Sequence, residues 1–243
     1  AERVKTTLMY LDALLGDNPP TSQISYRIYL PKISAIVNKV RTVLNNSGGS
    51  SADALAAYAE VLSDEKYKDK RADILYSQAT FEAYLKNYAQ AISLFEEALA
   101  VGFSDQKRQI DAMLFYAEMF SLEKQHKRAV NVLEQVIEIS ENLLLHQRLY
   151  AVALARNGEK EAAITLFNDI LLRYPADLQT YQDFANIYFL ELEYSSSIAV
   201  ARQLTLVDPN YAPAYKLFAE IYSLLGDNEQ SEIYSAIYSS LDR

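Results

Sequence analysis

Apolar residues recur at intervals of three and four along most of the chain. Ile164, Phe167, Ile170 and Leu171 precede Pro175, and Ile198, Ala201 and Leu204 precede Pro209. This is the spacing of one face of an α-helix. No segment alternates apolar and polar residues between turn signals as a half-buried strand would. Glycine and proline, six of each in 243 residues, leave long stretches without a breaker. The pattern predicts an all-α protein.

The helical segments repeat. Pro175 and Pro209 are 34 residues apart, and at that period Tyr150-Ala151, Phe184-Ala185 and Phe218-Ala219 fall into register. Leu154, Tyr188 and Tyr222 share a second column, and Gly158 and Gly226 share a third with Leu192 between them. A period of this length marks a stack of helix hairpins, because one such unit cannot bury its own apolar face.

These columns resemble the tetratricopeptide repeat, a helix–turn–helix unit of 34 residues. One repeat starts at Leu144, with Tyr150, Ala151, Leu154, Gly158, Ala163, Phe167 and Pro175 at signature positions. The next starts at Leu178, with Tyr181, Phe184, Ala185, Tyr188, Tyr194 and Pro209. Another starts at Ala212, with Tyr215, Phe218, Ala219, Tyr222 and Gly226. Upstream, Tyr116, Ala117, Phe120, His126, Ala129 and Leu133 fit a repeat near Ile110. Tyr88, Ala91, Phe95 and Ala98 fit the second helix of one starting near Ala72. The resemblance implies a right-handed superhelical solenoid of antiparallel helix hairpins, of about seven pairs at this chain length. Five repeats are expected over 71–243, at about 72–105, 110–143, 144–177, 178–211 and 212–243.

The first seventy residues depart from the period and read as degenerate repeats. Leu14-Leu15-Gly16-Asp17-Asn18 duplicates Leu224-Leu225-Gly226-Asp227-Asn228, which marks a helix over 2–15 ending at Gly16. Pro31 opens a helix over 31–45, a Gly/Ser loop spans 45–51, and a further helix covers 52–63.

In this family, positions 2, 5, 9, 12 and 13 of the first helix face a concave groove. In this chain the groove candidates are Tyr76, Thr80 and Glu118, then Arg148 and Arg156, then Gln182, Asn186 and Phe189, then Lys216 and Glu220. Amides can pair with an extended peptide backbone, and Arg and Lys can meet acidic side chains. The family's carboxylate clamp has Lys and Asn in one repeat, Asn in the next, and Lys and Arg in the third. That order occurs in no three consecutive repeats here, which argues against chaperone tails as the partner. The resemblance implies a non-enzymatic scaffold or adaptor that binds a protein or peptide segment and supports assembly of a complex. The competing reading is a ligand-binding or regulatory subunit that uses its convex or terminal surface.

Composition removes several alternatives. Lys and Arg number 23 against 32 Asp and Glu, for a net charge of −9. Such a balance argues against nucleic acid, whose phosphates call for clustered basic residues. Without cysteine there is no thiolate nucleophile and no cysteine zinc site. The two histidines, His126 and His146, lack a ligand set at helical spacing and read as packing or surface residues. Gly48-Gly49 lacks the Gly-Lys-Ser/Thr ending of a phosphate loop. We therefore expect no catalytic residues, no cofactor and no metal.

No apolar run reaches the length of a membrane span. Ala1-Glu2 is what a cleaved export signal would leave, and a trimmed chain starts the same way, so cytoplasm and periplasm both stay open. Of nineteen tyrosines, eight fall at or near signature positions and are expected in the core, and the remainder are expected as surface contacts. Ile233, Tyr234, Ile237, Tyr238 and Leu241 form a stripe on the last helix. Packing onto the preceding helix is the favoured expectation, and self-association through that helix is the other.

Overall fold

The computed structural model describes residues 51–140 and 143–242. The expected helices over 2–15 and 31–45 and the loop over 45–50 lie outside the described residues. Within them the chain forms eleven α-helices and one 3-10 turn, with no strand. The helices gather into two compact units, one ending at Leu145 and one beginning at His146.

In the first unit, α1 (Ser51–Ser63) and the 3-10 turn Glu65–Lys70 precede two hairpins. These are α2 (Arg71–Tyr84) with α3 (Tyr88–Val101), and α4 (Gln106–Leu122) with α5 (His126–Ile139). Tyr58 and Val61 of α1 pack on Ile74 and Phe81 of α2. The Tyr58 hydroxyl finds Ser77 at 2.7 Å, so burial of that ring leaves no orphaned oxygen. Small residues let helices approach, and Ala79, Ala91, Ala98 and Ala112 have no exposed surface. Asp105 starts α4 by accepting from the Lys107 amide at 3.2 Å, which satisfies a donor that has no partner in the helix.

The second unit holds three hairpins: α6 (Leu144–Arg156) with α7 (Lys160–Arg173), α8 (Leu178–Leu190) with α9 (Tyr194–Val207), and α10 (Ala212–Leu224) with α11 (Asn228–Leu241). The first helices of the three begin 34 residues apart. Ala185, Ala201, Leu217, Phe218 and Ile221 form a core cluster. Burying an aromatic or aliphatic side chain of this kind contributes about 1.5–3 kcal/mol. Ser197 and Ser231 fasten the last two hairpins internally, donating to the carbonyls of Ala185 at 2.8 Å and Ala219 at 3.0 Å. On α11, Tyr234 packs back onto α10, stacking on Tyr222 with ring centroids 5.5 Å apart and lying 4.9 Å from Phe218, whereas Ile233 of the same stripe is exposed.

All five hairpins close with the same turn. In each, one amide reaches back five residues: Asn87 to Glu82, Gln125 to Phe120, Glu159 to Leu154, Glu193 to Tyr188, and Asp227 to Tyr222. The residue before it is left-handed and bonds three residues back. This is the Schellman arrangement, which suits glycine. Gly158 and Gly226 occupy it in two turns, whereas Lys86, Lys124 and Leu192 occupy it in the others, at φ of 63°, 58° and 61°. The column that held glycine, leucine and glycine in the sequence is thus a column of one backbone shape.

Candidate binding surface of the second unit

The fifth residue of each first helix was expected to face a groove. Here it performs different work in successive hairpins. Arg148, on α6, is only 4 % exposed. Its Nε donates to Asp183 Oδ2 at 3.0 Å, and its Nη1 lies 3.5 Å from Asp177 Oδ2. Asp177 also caps α8, accepting from the Thr180 amide at 2.8 Å. Asp183 is steadied further by Gln179, whose Nε2 donates to Oδ1 at 2.9 Å. Burial pushes the Asp183 carboxyl above its ordinary value, against the pull of Arg148 and the Gln179 hydrogen bond. The guanidinium therefore joins α6 to the start and the second turn of α8. Beside it, Gln147 accepts from Arg173 Nη2 of α7 at 2.7 Å.

Gln182, the equivalent residue of α8, is buried and accepts a hydrogen bond from the Tyr211 hydroxyl, just before α10. Arg148 and Gln182 thus reach the residue that precedes the next hairpin, through Asp177 and Tyr211 respectively. Lys216, the equivalent residue of α10, is 55 % exposed and lies 3.9 Å from Glu220, one turn on in the same helix.

The other candidates in this unit stay at the surface. Arg156 and Glu220 are exposed, and Asn186 and Phe189 are half-buried, with Phe189 6.0 Å from the Tyr194 ring. The candidates of the first unit divide differently. Tyr76 is core, with Phe95, Phe103 and Phe115 about its ring at 6.0, 6.2 and 5.9 Å, edge-on in each case. Arg108 sits 5.6 Å over its face, and burial drives the phenol far above its ordinary pKa. Thr80 is buried and its hydroxyl donates to the Tyr76 carbonyl at 2.9 Å, one turn back. Glu118 is half-buried on α4.

Sequence reasoning passed over Asp177, Asp183 and Tyr211 as functional neighbours. Their one signal was position, since Asp177 and Tyr211 each stand immediately before a repeat start. His146 is buried on α6 and its Nδ1 has no hydrogen-bond partner, and burial lowers its pKa from the ordinary 6.5. Among the described residues no group of His, Asp and Glu is arranged to hold a metal ion, and no helix is long and apolar enough to cross a membrane.

The hairpin stack and its repeated turns are those of a helical-repeat protein of the interaction type. Models of the tetratricopeptide repeat match residues 70–142 and 149–177. Over those residues the chain carries tetratricopeptide repeats. Among solved structures, it is similar to YrrB, described as a TPR protein with an unusual peptide-binding site. The two share 18 % identity over 75 % of this chain and 88 % of that one, with a TM-score of 0.53. It is also similar to residues 41 to the end of MamA from Desulfovibrio magneticus RS-1, at 13 % identity, 71 % and 95 % coverage and a TM-score of 0.51. At such identities the likeness concerns the fold. A comparison with curated proteins finds no match. The family is typically a protein-interaction fold without catalysis.

Proposed function

We propose that this protein is a non-enzymatic scaffold whose second unit holds an extended segment of a partner protein across α6, α8 and α10. Arg156, Asn186, Phe189, Lys216 and Glu220 are the contact residues in this reading. Arg148 and Gln182 act behind them, as ties that set the spacing of the three first helices. The observation that carries the reading is the split within the groove candidates: the tying residues are buried, and the remainder stay accessible on the same three helices. Residues 71–243 form the repeat module in this reading, and 1–70 are degenerate helical repeats. Asn186 supplies an amide for a peptide backbone, Phe189 an apolar wall, and Arg156 and Lys216 two positive charges for acidic side chains.

The test is capture of the native partner from cell extract by the full chain. A charge-assisted contact contributes about 1.5–3 kcal/mol, or roughly ten- to a hundredfold in affinity. Reversing Arg156 and Lys216 to Glu together is expected to abolish capture and leave the melting curve unchanged. Capture that survives this double reversal but is lost on Glu161→Lys, on exposed α7, would move the interaction to the second helices.

A further inference from the structure

The three hairpin turns of the second unit share one backbone shape but present different surfaces. The α6–α7 turn is polar, with Arg156, Asn157, Gly158 and Glu159. The next turn carries Leu190 and Leu192, which are 62 % and 70 % exposed, and the last carries Leu224 and Leu225, at 60 % and 54 %. Leu190 and Leu224 stand one repeat apart at the C-terminal ends of α8 and α10, equivalent helices that touch, which places both turns at the same end of the hairpin stack. Four large apolar side chains therefore share one rim.

Leu192 carries two costs at once. It is exposed, and it takes the left-handed backbone at φ 61° where its sister turns use glycine. Side chains other than glycine resist that conformation because Cβ crowds the following carbonyl. Strain of this kind in an exposed apolar residue points to a surface with a task.

The charge around the rim specifies the partner. From Tyr174 to Asp242 there are ten acidic residues and two basic ones, Arg202 and Lys216. Glu191, Asp227 and Glu229 are exposed at or beside the two leucine turns. Arg202 sits on α9, and Lys216 faces Glu220 on its own helix. At the polar end of the rim Lys160 pairs with Glu193, so that end carries charge of both signs. Leu172 and Leu206 are exposed too, on α7 and α9, but oppositely charged residues flank each of them (Asp169 and Arg173, Arg202 and Asp208) and select no partner charge.

We infer that this rim docks a basic amphipathic helix of a partner protein, with the partner's leucine-type face on Leu190, Leu192, Leu224 and Leu225 and its Lys or Arg residues on Glu191, Asp227 and Glu229. The inference rests on the scaffold reading but uses a surface and a charge sign separate from the proposed groove contacts. An anionic lipid surface would be repelled by the same carboxylates, and so would a second copy of this net-negative chain.

The experiment uses the full chain and a fluorescent 14-residue peptide with leucines on one helix face and lysines on the other, followed by anisotropy. A peptide with Glu in place of every Lys is the control. The lysine peptide is expected to bind and the glutamate peptide to fail. Leu190→Ser, Leu192→Gly, Leu224→Ser and Leu225→Ser together should weaken binding about tenfold or more, since clustered apolar anchors dominate such contacts. Glu191→Lys with Glu229→Lys should weaken it as well, and both sets should retain the parent's helical circular dichroism. Equal binding of the two peptides, no loss in either set of variants, or rim-dependent dimerisation of the chain itself would overturn the inference. Reversing Arg156 and Lys216 should leave this peptide bound, so failure of the groove reading and failure of the rim reading give different results.

Discussion

Arg148 opens the second unit and Lys216 lies near its end, at the same position of two hairpins built on one pattern. Arg148 is sealed between helices, with Asp183 and Asp177 as partners. Lys216 lies in solvent, 3.9 Å from the carboxylate of Glu220. Beyond α6 a further first helix, α8, supplies a wall and two carboxylates. On α10 Lys216 meets Glu220 of its own helix. A repeated position therefore does not carry a repeated role. Whether a cation at this position is a structural tie or a surface charge depends on the carboxylates packed around it.

The largest effect should come from breaking the tie. Arg148→Ala strands Asp183 and Asp177, and loss of one partner from a buried ion pair costs about 3–5 kcal/mol. Urea melts should show a loss of that order, whereas Lys216→Ala should change stability by less than about 0.5 kcal/mol. Replacing Arg148 with Met and Asp183 with Leu together should recover much of the loss, because it removes both buried charges. Comparable losses from Arg148→Ala and Lys216→Ala would break the comparison.

Next in size is packing. Ala185 is fully buried in the core cluster and Ala199 is exposed on α9. Ala185→Leu should cost roughly 1–3 kcal/mol through overpacking. Ala199→Leu should cost much less, and the same melts read both.

The two hairpin ends differ in backbone strain as well. Leu192→Gly relieves a left-handed leucine and should stabilise by up to about 1 kcal/mol, less what glycine's freedom adds to the unfolded chain. Gly226→Leu, at φ 78°, should destabilise by a similar amount.

The smallest effect is the response to pH. His146 has a folded-state pKa below 6.5 because it is buried. Its neutral form is the folded one, so the unfolded chain takes up its proton first as pH falls. Stability should be fully present above pH 6.5 and decline from there towards the lowered folded value. His146→Gln should flatten that part of a melting-temperature profile, and Lys216→Gln should leave it in place.

How much of this was legible in the residues can be judged from particular columns. Ala185, Ala151 and Ala163 stand at signature positions of the repeat that the chain resembles, and all three are fully buried. Gly158 and Gly226 announced the hairpin turn, while Leu192 in the same column gave no sign of its left-handed backbone. Tyr234 was expected to pack on the preceding helix and does so. Tyr76 and Thr80 were assigned to the groove by register, yet the first is enclosed by three phenylalanines and the second spends its hydroxyl on its own helix.

Sequence alone determined the all-α hairpins and the family, because a 34-residue period of large, small and turn-forming positions allows few ways to bury its apolar faces. The tertiary structure decided which polar groove candidates are occupied. Arg148 meets Asp183 across 35 residues of chain and Gln182 meets Tyr211 across 29. Period does not reveal such pairs, since the neighbouring columns hold different residues and only packing says which of them lose water. A buried guanidinium and an exposed ammonium look alike in a list of cations. They differ in the carboxylates packed around them, and that is a property of the tertiary contacts.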